Sequence, residues 1–136
     1  GCRVPLPWEA DAPAFGFSPD GATWLPQPPE WARLAVDVQR DDPASTLSLY
    51  RAALRLRRTW DLGGATLEWE QSLCGDGVLA FRSTGDGRPD VLVVTTMQAE
   101  APLPAGWTVV LSSAPAGGVI APDSTTWLVP TREDRP

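Results

Sequence analysis

The spacing of hydrophobic residues changes twice along this chain, and each change predicts a different kind of structure. Residues 1–42 show no regular period and are rich in proline, which lacks a backbone N–H and fixes φ, so neither a long helix nor an interior strand is expected there. Apolar residues recur at helical spacing from Ala44 to about Arg58. From Trp60 onward they alternate with polar residues, which is typical of strands.

The helical stretch has recognisable signals at both ends. Asp42 can cap its N-terminus, and Pro43 suits the first helical position. Arginines at its C-terminal end complement the helix dipole. The apolar side chains cover about half of the helix circumference, which is wider than a simple surface helix needs. We therefore expect this helix to lie between two packed bodies.

The β-rich region is expected to form a small antiparallel sandwich. Its turn signals include 75–77 and 85–88, and the second is typical of a hairpin. Short strands with turns at this spacing favour a sandwich. Trp107 and Trp127 alternate with aliphatic residues and are expected in its core. The predicted strands are 66–70, 78–83, 91–97, 107–112 and 125–129.

The proline-rich loop carries large aromatic residues, although a disordered segment would be poor in them. They are Trp8, Phe15, Phe17, Trp24 and Trp31. A structureless loop of this length is also unusual inside a compact domain. We therefore expect these rings to pack on a body outside this sequence, with Trp24 and Trp31 as anchors.

Composition and charge exclude several classes of protein. The net charge is −6 and every basic residue is Arg, without a basic stripe, which argues against nucleic-acid binding. The chain has no His, so it cannot contain a Ser-His-Asp triad, a Cys-His pair or a His metal site. No apolar run approaches the ~18 residues of a membrane span and no signal peptide is recognised. We expect a cytoplasmic protein without membrane contact, cofactor or metal.

Several sequence elements follow one another in a specific order. Arg3-x-Pro5-x-x-Trp8 is followed by Phe-Gly-Phe, Trp-Leu-Pro, Val-Asp-Val-Gln, Asp-Pro-x-Ser and Leu-Tyr-Arg-x-x-Leu-x-Leu-Arg-Arg. With these elements, residues 1–58 resemble the end of an α-glucosidase of the α-amylase superfamily, in the oligo-1,6-glucosidase branch. The segment 121–128 extends the resemblance, more loosely, into the C-terminal domain of that family.

The resemblance implies a fold in three parts. Residues 1–59 would be the terminal loop and eighth helix at the C-terminal end of a (β/α)8 barrel. Residues 60–130 would form an all-β antiparallel sandwich domain, and 131–136 a frayed tail. The parent catalytic barrel would be the packing partner, and an α-linked gluco-oligosaccharide would be the substrate of the whole enzyme.

The family's chemistry is retaining hydrolysis of α-glucosidic bonds, which needs a pair of carboxylates about 5 Å apart. The resemblance places the nucleophilic Asp, the acid/base Glu and a second, stabilising Asp on earlier barrel strands, and nothing in this sequence matches their motifs. Glu9 and Asp11 follow the Arg-x-Pro-x-x-Trp segment, but we interpret them as solvated loop acids. We therefore assign no catalytic residue to this chain.

Arg3 and Trp8 are the candidate substrate-binding residues. In the family the matching Arg lies near the aglycone side of the cleft, where a guanidinium can donate forked hydrogen bonds to sugar hydroxyls or orient a carboxylate. The alternative is an Arg that ties the loop down through backbone carbonyls. Trp8 either stacks on a glucose ring or anchors the loop on the barrel.

Three other interpretations stay open at the level of sequence. The parent enzyme could be a transglycosylase such as a sucrose isomerase or trehalose synthase, which share the loop. The chain could be a free-standing carbohydrate-binding module, which an exposed, coplanar pair of Trp residues would favour, or an inactive remnant.

Cys2 and Cys74 could form one disulfide. We expect free thiols, partly because the resembling family often has a Cys at the position of Cys2.

Overall fold

The computed structural model describes residues 3–115 and 117–131. The chain divides into two compact units, an N-terminal unit, Gly1–Arg51, and a β-unit, Ala52–Pro136. The boundary that we expect between residues 59 and 60 stays a prediction. Cys2 and positions 132–136 lie outside the described residues, and therefore the state of the two thiols and the frayed tail also stay predictions.

Short helical turns make up the regular structure of the N-terminal unit before residue 46. They are 3-10 helices at Pro13–Gly16 and Pro29–Leu34 and the short helix α1 at Val36–Arg40. Proline is among the first residues of both 3-10 helices, where its fixed φ suits the helix and its missing N–H costs nothing. In the described part of 1–42 no element exceeds six residues, as the proline content predicts.

The predicted long helix, α2, spans Thr46–Thr59. It begins two residues later than expected, because Asp42 does not cap it. The Asp42 carboxylate accepts a hydrogen bond from the N–H of Ala44 at 2.9 Å, in a turn before the helix. The cap is Ser45, whose hydroxyl accepts from the N–H of Ser48 at 3.1 Å. Among the described residues, α2 and the shorter helices fall short of the length and apolarity that crossing a bilayer requires.

Seven strands form in the described part of the β-unit. They are β1 (Thr66–Trp69), β2 (Val78–Thr84), β3 (Val91–Thr96), β4 (Ala101–Pro102), β5 (Trp107–Ser112), β6 (Val119–Ile120) and β7 (Thr125–Pro130). Five of them form one antiparallel sheet in the order β1-β2-β3-β7-β5, and β4 pairs with β6 in a second sheet. The five predicted strands and the antiparallel sandwich are confirmed. Alternation does not reveal β4 and β6, because each has only two residues.

The turn between β2 and β3 confirms the hairpin signal at 85–88. Gly87 has a φ of +71°, a conformation that glycine adopts without steric cost. Beside it, the Arg88 guanidinium donates a hydrogen bond to the carbonyl oxygen of Gly64 at 2.9 Å and pairs with the Asp61 carboxylate. The hairpin therefore also fastens the segment that precedes β1.

The core of the β-unit lies between its two sheets. Its buried residues are Ala80, Leu92, Val94, Ala101, Ile120 and Leu128. Ala101 and Ile120 come from the two-stranded sheet, which therefore covers one face of the larger sheet. Trp107 packs against this core, as expected. Trp127 lies on the opposite face instead, because it precedes Leu128 on β7 and successive residues of a strand point to opposite faces.

Candidate functional site

The two candidate site residues lie on one proline-rich segment, residues 3 to 10. We name it the 3–10 segment after these residue numbers, and it is not a 3-10 helix. Burial alternates along it, with Pro5 and Pro7 buried and their neighbours exposed. The exposed apolar residues are Val4, Leu6 and Trp8, at 55%, 47% and 48%. The two prolines of the segment therefore face the rest of the N-terminal unit. The apolar side chains between and beside them point outward.

Arg3 is exposed at the start of this segment. Within residues 3–115 and 117–131 the guanidinium of Arg3 makes no hydrogen bond or ion pair. No such contact links Arg3 to Trp8. Glu9 and Asp11 are also exposed, as solvated loop acids would be. The substrate-binding roles of Arg3 and Trp8 stay predictions.

The backbone of Trp8 is held from two sides. Its N–H donates a hydrogen bond to the carbonyl oxygen of Phe15 at 2.8 Å, and the N–H of Glu9 donates to the same oxygen at 3.0 Å. On the other side, the carbonyl oxygen of Trp8 accepts from the N–H of Asp37 at 3.1 Å. The half-exposed indole therefore sits on a fixed backbone.

A left-handed turn aims the Phe15 carbonyl oxygen. Ala14, Phe15 and Gly16 have φ values of +48°, +51° and +73°. This conformation is natural for glycine but costs about 1 kcal/mol or more for a residue with a side chain. Such strain persists only where the surroundings fix it, and here it provides an acceptor for two N–H groups. The Phe-Gly-Phe element marked this position in the sequence but did not predict the turn.

Asp37 completes the arrangement and was not among the predicted site residues. Both oxygens of its carboxylate lie 3.2 Å from the N–H nitrogen of Ala10, and Oδ1 also accepts from the N–H of Val38 at 2.8 Å. Asp37 and Ala10 are 27 residues apart, and no local pattern links them. Only the tertiary structure identifies this contact.

Beyond the 3–10 segment, the aromatic residues of the N-terminal unit differ in exposure. Trp24 is 97% exposed and Phe17 is 49% exposed. Phe15 and Trp31 are half-buried. An indole with almost no cover within its own chain is the most unusual apolar feature of this unit, because large aromatic side chains are highly buried on average.

A polar cluster lies on the core-facing side of the β-unit. Arg82 and Glu70 form an ion pair at 2.7 Å between Nη2 and Oε2, and the Arg82 guanidinium carbon lies 5.7 Å from the centre of the Trp107 ring. The Ser72 hydroxyl donates to Glu70 Oε1 at 2.6 Å. The hydrogen bond from Ser72 and the charge of Arg82 outweigh partial burial and hold the pKa of Glu70 below its ordinary value. An ionised, paired carboxylate of this kind is a poor general acid.

The β-unit also contains a cavity of about 230 Å³. Glu100 is the one ionisable residue among the described residues that line it, and most of the others are apolar. Retaining hydrolysis needs two carboxylates, so the chemistry of the resembling family does not fit this cavity. Across the part of the chain that the structure describes, no three Cys, Asp or Glu side chains group together as a metal site.

Comparison with known proteins shows which proteins the chain is similar to. No protein-family model matches it. An α-glucosidase of Culex pipiens is 33% identical over 97 residues, which are 70% of this chain and 16% of that protein. A probable α-glucosidase of Rhizobium meliloti (strain 1021) is 45% identical over 58 residues, which are 43% of this chain and 10% of that protein. Over these residues the chain is therefore similar to α-glucosidases, of which it spans a small part.

Solved structures share the fold of this chain. An isomaltulose synthase from Klebsiella sp. LX3 matches with a TM-score of 0.72 and 20% identity, over 93% of this chain and 24% of that one. Amy13B of Eubacterium rectale matches with a TM-score of 0.55 and 17% identity, over 73% of this chain and 22% of that one. The chain therefore spans a quarter or less of the length of each of these four proteins.

Proposed function

We propose that this chain is the structural C-terminal part of a retaining glycoside hydrolase that cleaves α-glucosidic bonds in short glucose oligosaccharides. The names of the two sequence relatives support hydrolysis of α-glucosides. In this proposal the catalytic carboxylates lie in the rest of the enzyme. The chain contributes the terminal loop and last helix of the barrel and a β-domain that stabilises them.

The observation that carries the proposal is the exposure of large apolar side chains in the loop and on α2. Trp24 is 97% exposed, and none of the fourteen residues of α2 is buried. Tyr50 and Leu54, on its predicted apolar side, are 64% and 50% exposed. Apolar surface of this extent marks a region of contact with another body. We propose that the barrel of the parent enzyme is that body.

Hydrolysis is proposed in preference to transglycosylation, because both sequence relatives bear the name α-glucosidase. The isomaltulose synthase supports the fold alone, at 20% identity.

The arrangement of aromatic residues disfavours a free-standing carbohydrate-binding module. Trp69 and Trp127 share one face of the larger sheet, but β2 and β3 lie between them. Trp69 meets Phe81 edge to face, with 78° between the ring planes and 6.0 Å between ring centres. That geometry is typical of aromatic packing and does not make a flat platform for a sugar.

Assays of the full-length enzyme and of the 136-residue chain test the proposal. We expect the full-length enzyme to release glucose of retained α-configuration from maltose or an aryl α-glucoside, as followed by NMR. We expect no turnover from the chain alone, because binding cannot supply the ~8–23 kcal/mol by which enzymes lower a barrier. An inverted product contradicts the proposed mechanism. Turnover by the chain that disappears when one of its own carboxylates is replaced contradicts the structural role.

A further inference from the structure

We propose that Asp37 is a positioning residue that fixes the direction in which Trp8 faces the substrate. This inference rests on the proposed function and on the prediction from the sequence resemblance that Trp8 contacts the sugar. Asp37 itself does not touch the sugar. It acts through the backbone of Trp8 and Ala10.

The hydrogen bonds around Trp8 fix both of its backbone dihedral angles. Its N–H is bound by the Phe15 carbonyl oxygen and its own carbonyl oxygen by the N–H of Asp37, at 2.8 and 3.1 Å. Rotation about φ or ψ would break one of these bonds. The direction of the Cα–Cβ bond, from which the indole projects, is therefore determined by Phe15 and Asp37, which lie outside the 3–10 segment.

The carboxylate of Asp37 adds a second attachment on the far side of Glu9. Both of its oxygens lie 3.2 Å from the N–H nitrogen of Ala10. The N–H of Val38 holds Oδ1 at 2.8 Å and thereby limits rotation of the carboxylate. Asp37 thus binds the residues before and after Glu9, one through its backbone and the other through its side chain.

The distribution of hydrogen bonds indicates that the backbone carrying the indole is the part being fixed. In the described residues, the stretch Trp8–Ala10 takes part in four hydrogen bonds to Phe15 and Asp37, and the carbonyl oxygen of Pro7 beside it accepts one from the N–H of Val36 at 3.1 Å. Between Arg3 and Leu6, the corresponding contact is one longer bond, from Gln27 Nε2 to the Pro5 carbonyl oxygen at 3.4 Å. A half-exposed indole supported by a strained turn and a dense set of bonds is what a preorganised recognition surface requires.

The test uses three variants of the full-length enzyme. Asp37→Ala removes the acceptor for Ala10, Asp37→Asn keeps one uncharged acceptor oxygen, and Asp41→Ala removes a nearby exposed charge as the matched control. Hydrogen exchange of a peptide spanning Trp8–Ala10 and the kinetics of maltose and aryl α-glucoside hydrolysis are measured on the same preparations. We expect Asp37→Ala to accelerate exchange and to raise KM about two- to tenfold, which corresponds to one hydrogen bond of ordinary net strength. The kcat of Asp37→Ala should stay within about twofold of the wild-type value. Asp37→Asn should give an exchange rate and a KM between those of wild type and Asp37→Ala, and Asp41→Ala should match the wild type in both.

A double variant separates positioning from a general loss of stability. In a Trp8→Ala background, Asp37→Ala should raise KM no further, because the side chain that it positions is gone. Unchanged exchange at Trp8–Ala10 would overturn the proposal. Faster exchange with an unchanged KM, or a full further rise in KM without the indole, would overturn it as well. A full-length enzyme that hydrolyses no α-glucoside would instead overturn the proposed function, while the exchange data would still decide whether Asp37 holds the segment.

Discussion

Replacing Trp24 by Ala in the full-length enzyme tests the proposed packing directly. Trp24 is 97% exposed within this chain, so the substitution removes almost no contact that the chain itself provides. If nothing else covered the indole, the free energy of unfolding would change by no more than about 0.5 kcal/mol, as for other surface substitutions. If the barrel covers it, the substitution instead leaves a cavity at an interface.

The expected loss follows from the buried area. A Trp side chain buries about 150–250 Å² when fully covered, and at about 25 cal/mol per Å² this corresponds to about 4–6 kcal/mol. Measured Trp→Ala costs of ~3–5 kcal/mol agree with that range, and half coverage would still give about 2 kcal/mol. Urea and thermal unfolding of the full-length enzyme measure the change. Trp107→Ala is the matched control, because Trp107 packs on the β-unit core and its loss should destabilise that unit in any context. A Trp24 variant within about 0.5 kcal/mol of wild type, beside a destabilised Trp107 variant, would refute the packing.

Two further predictions concern the predicted site and the polar cluster. In the full-length enzyme, Arg3→Ala should lower kcat/KM about ten- to a hundredfold, the worth of a charge-assisted hydrogen bond, and Arg3→Lys should restore only part of it. A lower melting temperature with unchanged kcat/KM would instead make Arg3 a loop anchor. Glu70 has a lowered pKa in the folded state, so its stabilising contribution is present above its ordinary value of 4.5 and is lost as pH falls through the folded-state value. Glu70→Gln should flatten that part of the stability profile in thermal unfolding from pH 7 to 3, and identical profiles would contradict the assignment.

Residue spacing predicts the elements of this fold wherever a period extends over several residues. The strands from Thr66, Val78, Val91, Trp107 and Thr125 each run for at least four residues. The two-residue strands β4 and β6 are too short to have a period, although they supply Ala101 and Ile120 to the core. The start of α2 was misplaced because Asp42 and Ser45 are both good caps, and only the turn at Ala44 decides between them.

The candidate site could be predicted only as far as the sequence resemblance extends. The resemblance drew attention to Arg3 and Trp8, and the structure shows both as exposed. Proximity in the chain does not indicate that Asp37 binds Ala10 across 27 residues. Nor does composition predict that Phe15, a residue with a bulky side chain, adopts a left-handed conformation. Both features depend on tertiary contacts.

The strand order leaves β1 at an edge of the larger sheet, with Leu67 and Trp69 more than half exposed. An apolar edge with unpaired N–H and C=O groups is a template on which a second chain can add its own strand. Molecules of this chain produced separately would therefore tend to pair through β1 and grow into insoluble assemblies. If the proposed barrel covers these side chains, covalent attachment to it holds that cover at an effective concentration in the millimolar range, far above that of any competing copy in dilute solution. In the proposed enzyme, the peptide bond to the barrel would therefore protect the solubility of this chain as well as its stability.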